Sequence, residues 1–322
     1  MYKLYTFLAW KSPVNQAIRR ENVEGFTLFI FLYLVILPAT LTFILWKGLF
    51  NSQREWAGSL VLTALYIVWV FFSGHWDSLS YYIRYIWVII FLFAAYQSIK
   101  KMKPLPFRKP PSVKGKWTTG FLSIIVIIFL IRNIAIIGSF STHGDQINLS
   151  FPLKEGTFYV GHGGSNTEMN YHHAYEPQQY ALDISQLNKL GMRAKGIYPK
   201  EIEKYVIYGA ELYSPCEGSV LETENKLPDL TPPNSDPDNP TGNYVALQCD
   251  GHDATIYMAH MQKGSVEVTA GDNVKNGELL GLVGNSGNTS EPHLHIHAEK
   301  DGVGIKMIFD DKYPVRNSLI KN

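Results

Sequence analysis

The chain has 322 residues, room for one or two domains, and a formal net charge of +1. That charge leaves no electrostatic footprint for a nucleic-acid partner, and none is expected. Two cysteines, Cys216 and Cys249, exclude a thiolate-only metal site and a disulfide-dense scaffold. They pair once in an oxidising compartment, or else stand as two small buried residues.

The hydrophobic fraction of 46% averages two unlike halves. Before about residue 140 the chain is rich in Leu, Ile, Phe, Trp and Val; beyond it Gly, Pro, Asn, Asp, Glu and His take over. Crossing a bilayer takes about 20 predominantly apolar residues. Four stretches qualify or come close: about Gly25 to Leu49, Ala57 to Phe72, Leu79 to Ile99 and Gly120 to Ile137. None has the features of a cleaved signal peptide. The competing reading, soluble core helices, is hard to sustain for four such runs within 140 residues. Residues 1–139 are therefore read as an α-helical membrane region with the lipid bilayer as its partner.

Orientation follows from Lys and Arg, which are enriched in cytoplasmic loops. The loop between the third and fourth stretches carries Lys100, Lys101, Lys103, Arg108, Lys109, Lys114 and Lys116. With Lys47 and Arg54 it puts nine cations inside, against Lys3, Lys11, Arg19 and Arg20 outside. The expectation is a multi-pass protein of the cell membrane with an extracellular C-terminal domain over 140–322. Arg84, near the start of the third stretch, is expected to snorkel toward an interface. Arg132 lies deeper in the fourth and has no evident role.

From about Ser139 the pattern changes to short runs such as GTFYVG, GSVLET, NYVALQC, ATIYMAHM and HLHIHAE. Each has β-branched or aromatic residues and is bounded by turn formers, which predicts a mainly antiparallel sheet. One stretch, Pro199 to Tyr208, reads as helical. The segment from Leu227 to Gly242, LPDLTPPNSDPDNPTG, carries five prolines and reads as an exposed loop between two strands.

Pro292-His293-Leu294-His295 is the strongest local signal. On a strand, residues two apart share a face and lie roughly 6.5 Å apart, so His293, His295 and His297 project together. Three of the chain's ten histidines within five positions is a concentration that a chance surface strand does not require. The second signal is Asn-Tyr-His-His at 170–173 followed by Tyr-Ala-Leu-Asp-Ile at 180–184. Asp183 sits in an apolar strand-like segment, where an unpaired carboxylate is costly and a divalent cation, a turn or a basic partner relieves it. His260, ending the run ATIYMAH, is weak alone, because a lone strand histidine is usually structural. Together these residues offer two or three imidazoles and a carboxylate, a donor set suited to catalytic rather than structural zinc.

The stretch from His260, YMAHM and then VEVTAGDNVKNGELLGLVGNSGNTSEPHLHIHAE, resembles the lysostaphin/LytM-type zinc metallopeptidases. The matching features are Gly-Asp-x-Val-x-x-Gly at Gly271 to Gly277 and Gly-Asn-Ser-Gly at 284–287 before Pro-His-Leu-His. Upstream, Ser-Pro-Cys-Glu-Gly-Ser-Val at 214–220 and Asn243-Tyr244-Val245 resemble two of the family's strands. The resemblance spans about residues 158–300. It implies a mainly antiparallel β metallopeptidase fold and one zinc ion held by His172, Asp183 and His295. The first ligand is His172 or its neighbour His173, with His172 favoured by its Asn-Tyr-His context. His260 and His293 become the unligated pair that handles water and transition-state charge. One departure is plain: the family separates its first His and Asp by three residues, whereas ten separate His172 from Asp183. The same fold places Cys216 and Cys249 on neighbouring strands, where a disulfide is plausible.

The expected function is a membrane-anchored zinc metalloendopeptidase that hydrolyses peptide bonds in peptidoglycan cross-links or stem peptides. The alternatives are a non-catalytic wall-binding or regulatory module, and a membrane protein whose main work lies in its spans.

Overall fold

The computed structural model describes residues 23–109 and 113–322. Lys3, Lys11, Arg19 and Arg20, counted above, lie outside the described residues, as do the side chains of Lys114 and Lys116.

Among the described residues, four helices fill the N-terminal region. Helix α1 is α-helical over Val23–Phe31, widens to a π turn over Leu32–Ile36, and is α-helical again over Leu37–Lys47. Pro38, which lacks an N–H, sits in the first turn of the last segment. The π turn passes that gap, with the Leu37 N–H bonding the Leu32 carbonyl. Helix α2 (Gln53–Ser73) opens on Ser52, whose side chain accepts from the Glu55 N–H. Helices α3 (Ile83–Met102) and α4 (Val113–Ser139) follow. All four include a segment long and apolar enough to cross a bilayer: Gly25–Lys47, Gln53–Ser73, Ile83–Met102 and Thr119–Ser139.

The third helix begins at Ile83, four residues later than the sequence suggested. Residues 74–82 spend their backbone groups elsewhere. Trp76–Ser78 form a 3-10 turn with the Trp76 indole fully buried and bonded to the Val70 carbonyl at 2.9 Å. The Tyr81 N–H bonds the Gly191 carbonyl at 2.8 Å. Arg84, in the first turn of α3, packs inward. It is buried, with its guanidinium 3.9 Å from the Phe71 ring centroid and 4.7 Å from that of Tyr81, so aromatic faces hold the cation. Arg132 gains a partner in Glu168, 3.0 Å away.

The sheet contains β1 (Gln146–Leu149), β2 (Thr157–His162), β3 (Leu182–Gln186), β5 (Gly218–Glu224), β6 (Asn243–Cys249), β7 (Thr255–Met261), β8 (Asn273–Val274), β10 (Leu294–Lys300), β11 (Val303–Phe309) and β12 (Leu319–Lys321). Its main path runs β12-β2-β3-β10-β7-β6-β5-β8; β11 pairs with β10 and, in parallel, with β1. The other pairings are antiparallel. Strands β4 (Glu211–Tyr213) and β9 (Leu279–Leu282) form a separate pair. Alternation fixes the faces: Leu182 and Ile184 on β3, Ile256 and Met258 on β7, and Leu294 and Ile296 on β10 enter one core. Cys216 and Cys249 form a disulfide that pins the start of β5 to the end of β6.

The stretch from Pro199 to Tyr208 is not a helix. Only Ile202–Lys204 makes a 3-10 turn. The Lys195 and Val206 N–H groups bond the carbonyls of Lys204 and Arg193, so pairing with residues 193–195 takes groups that a helix needs. The proline-rich segment does connect β5 to β6, but it folds back on the Gly284–Gly287 turn. The Leu230 and Asp236 N–H groups bond the carbonyls of Asn285 and Gly287.

Candidate metal centre

Register brings Asp183 and His295 together, because they are directly opposed in the β3–β10 pair. Their apolar neighbours face the core, so both project from the other side of the sheet. His295 Nδ1 lies 3.0 Å from Asp183 Oδ1. His172 arrives on a 3-10 turn, Tyr171–Ala174, capped by the buried Asn170. Asn170 Oδ1 accepts from the His172 N–H at 3.2 Å, and its Nδ2 donates to the Ala181 carbonyl at 3.0 Å. That one side chain closes the base of the ten-residue excursion. His172 Nε2 then lies 3.0 Å from each Asp183 oxygen. His173 is used otherwise, with Nδ1 3.1 Å from the Gln179 carbonyl. Only His172 of the two candidates reaches Asp183.

His260 reaches the site through an irregularity. Strict alternation along β7 would send it into the core with Met258. The register slips between Asn243 and Tyr244 on β6, and His260 adopts a positive φ of 64°. This bulge restores Met261 to the core and turns His260 toward His293, with ring centroids 5.0 Å apart. His260 Nδ1 lies 2.9 Å from the Ser286 carbonyl and His293 Nδ1 2.8 Å from that of Glu291. A carbonyl only accepts, so both Nδ1 atoms carry protons and each Nε2 is left for the site. His293 Nε2 stands 3.4 Å from Asp183 Oδ1.

The donor atoms of His172, Asp183 and His295 lie within 4.8 Å of one another, and those of His260, His293 and His295 form a second such group. Burial opposes ionisation of Asp183, but His172 and His293 outweigh it and hold its carboxyl well below the usual range. Burial likewise opposes charge on His293, yet Asp183 prevails and raises it. Burial pushes His295 down to about 4, and burial together with His293 and His295 pushes His260 well below its ordinary value. Two imidazoles and a carboxylate, all buried and convergent, are a donor set that fits a zinc ion.

His297 was placed on this face by the sequence but given no task. Its Nδ1 lies 3.1 Å from His295 Nε2, and its ring stacks on Tyr257 at 4.8 Å. It thereby orients His295 from behind. Arg316, whose Nη2 lies 2.7 Å from His162 Nδ1, escaped sequence reasoning altogether. Asn170 did offer a signal, an N-cap residue just before the histidine pair.

Residues 202–307 match the model of peptidase family M23. The sheet carries an M23 peptidase domain. The match includes His260, His293 and His295; His172 and Asp183 lie before it. The M23 domain has counterparts among solved structures. One is a zinc-containing peptidase from Vibrio cholerae, with 22% identity over 32% of this chain and 26% of that one, at a TM-score of 0.25. The catalytic domain of lysostaphin from Staphylococcus simulans gives 22% over 31% and 72%, at 0.20. LytU gives 22% over 35% and 76%, at 0.22. The chain spans about a quarter of the length of the Vibrio cholerae protein.

Proposed function

We propose that the protein is a membrane-anchored zinc metalloendopeptidase whose helical region, residues 1–139, anchors an extracellular catalytic domain over 140–322. The single observation that carries the reading is the convergence of His172, Asp183 and His295 beside His260 and His293. His172, Asp183 and His295 would hold zinc through imidazole nitrogens and a carboxylate oxygen. Zinc held there would supply Lewis-acid polarisation of the scissile carbonyl and acidification of water. The protein's own residues do the rest. His260 and His293, with Nδ1–H committed to carbonyl oxygens, present Nε2 to the cleft. The neutral one would take the proton of the attacking water on Nε2, and the other, protonated on Nε2 as well, would donate that proton's hydrogen bond to the developing oxyanion. His297 fixes the ring of His295.

The M23 family supports a peptidoglycan peptide as substrate, in a cross-link or a stem peptide. Four apolar helices support the anchor, and the Lys and Arg distribution supports the outward orientation. The test is metal analysis of the full chain before and after chelation, with hydrolysis of purified cell wall alongside. Zinc at one ion per chain and wall cleavage lost on chelation are expected. Zinc retention with an intact wall would leave a binding module instead.

A further inference from the structure

The cleft in front of the metal centre has a volume of about 690 Å³, room for a short peptide segment. Asp183, His260 and His293 line it from the sheet. The other side comes from the helical region: Phe26 at the start of α1, and His75, Asp77 and Ser78 from the loop joining α2 to α3. That loop is anchored on the sheet. Arg193 Nη1 donates to Ser78 Oγ at 2.7 Å and pairs through Nε and Nη2 with Glu291 at 2.8 Å; its Nε stands 3.6 Å from Asp77 Oδ2. Asn317 Nδ2 donates to the Phe72 and Gly74 carbonyls at 2.6 and 3.1 Å. Phe26 packs on Tyr198, ring centroids 5.3 Å apart.

Asp77 adds an observation of its own. It is buried, and its Oδ1 has no hydrogen-bond partner among the described residues. A buried acceptor without a donor carries a desolvation cost that an incoming N–H relieves. His75 also faces the cleft, its ring 5.5 Å from that of His162.

These wall residues also fix the height of the cleft. Phe26 is one residue inside the first candidate span, and Asp77 is four residues beyond the second. Both lie at span ends on one side of the helical region, at the level where a bilayer meets water.

We propose that the loop between α2 and α3 is one wall of the substrate cleft, with Asp77 accepting a peptide N–H, so that the site takes peptides presented at the bilayer surface. The proposal rests on the peptidase reading for its substrate class and adds where and by what the peptide is held.

The test uses the full chain in liposomes. The probes are fluorescent soluble peptides from digested peptidoglycan, and the same peptides joined to a phospholipid through spacers of graded length. Binding and cleavage are read separately. A wall at the bilayer surface binds short-spacer probes at least as tightly as long-spacer ones. Asp77→Asn and His75→Ala then weaken binding about tenfold with zinc content unchanged. Phe26→Ala, which leaves the polar anchoring intact, gives a smaller loss. Engagement restricted to long spacers, or unchanged affinity in all three variants, overturns the proposal. Tight short-spacer binding that Asp77→Asn weakens, without cleavage, upholds the wall and rejects the peptidase reading. Cleavage with unaltered variant affinity does the reverse.

Discussion

The helical region and the sheet use the same apolar residues in opposite directions. In the sheet, Leu182, Ile184, Met258 and Leu294 are buried in one core, and Asp183, His295 and His297 project from the opposite face. In the helices, Leu28, Phe43, Ile89, Ile124 and Ile137 are more than 40% exposed, and only 6% of the apolar window of α4 is buried. Such a surface suits lipid tails better than water. The difference teaches where polar groups carry meaning. In the sheet they gather in the metal centre; in the helices they gather at the seam, where Trp69 and Arg132 both meet Glu168 and Arg193 meets Asp77.

The sheet's side of the comparison breaks most completely at the metal centre. Asp183→Ala or His295→Ala is expected to abolish zinc retention and with it hydrolysis, checked by metal analysis and wall digestion. His260→Ala or His293→Ala is expected to keep zinc and lower kcat by about 10²- to 10⁴-fold. Normal turnover in His293→Ala would remove that residue from the mechanism. At the seam, Arg193→Ala strands two carboxylates, Asp77 and Glu291, and is expected to cost about 3–5 kcal/mol in denaturant unfolding of the full chain. Within the sheet, replacing both cysteines with Ala reopens a loop of 33 residues in the unfolded chain. It should cost about 3–4 kcal/mol by the same assay.

The smallest effect is a pH dependence at the seam. Burial raises the Asp77 carboxyl to about 6, although Arg193 pulls it down. The folded state therefore holds this proton more tightly than the unfolded one. Stability contributed at Asp77 is greatest below about pH 4, falls as pH rises to about 6 by about 2–3 kcal/mol, and is level above. Asp77→Asn is expected to flatten that slope, and an unchanged slope would remove Asp77 as its source.

Much of the fold was legible because it is periodic. Long apolar runs gave the helices, and alternation gave the strands and put His295 and His297 on one face. Misreadings arose where distant backbone intervened. Pro199 to Tyr208 looked helical until residues 193–195 claimed the Val206 N–H and the Lys204 carbonyl, and α3 starts late because Tyr81 bonds Gly191. His260 looked like an ordinary strand histidine, since nothing local announces a bulge.

The sequence by itself determined the kinds of element, the donor types and the face that His295 occupies, because side-chain periodicity is a local property of the chain. Only the tertiary structure decided that His172 rather than His173 meets Asp183, that a bulge turns His260 to the site, and that Phe26, His75, Asp77 and Ser78 line the cleft. Those outcomes depend on strand register and on contacts between residues from 11 to 115 positions apart, which no local pattern encodes.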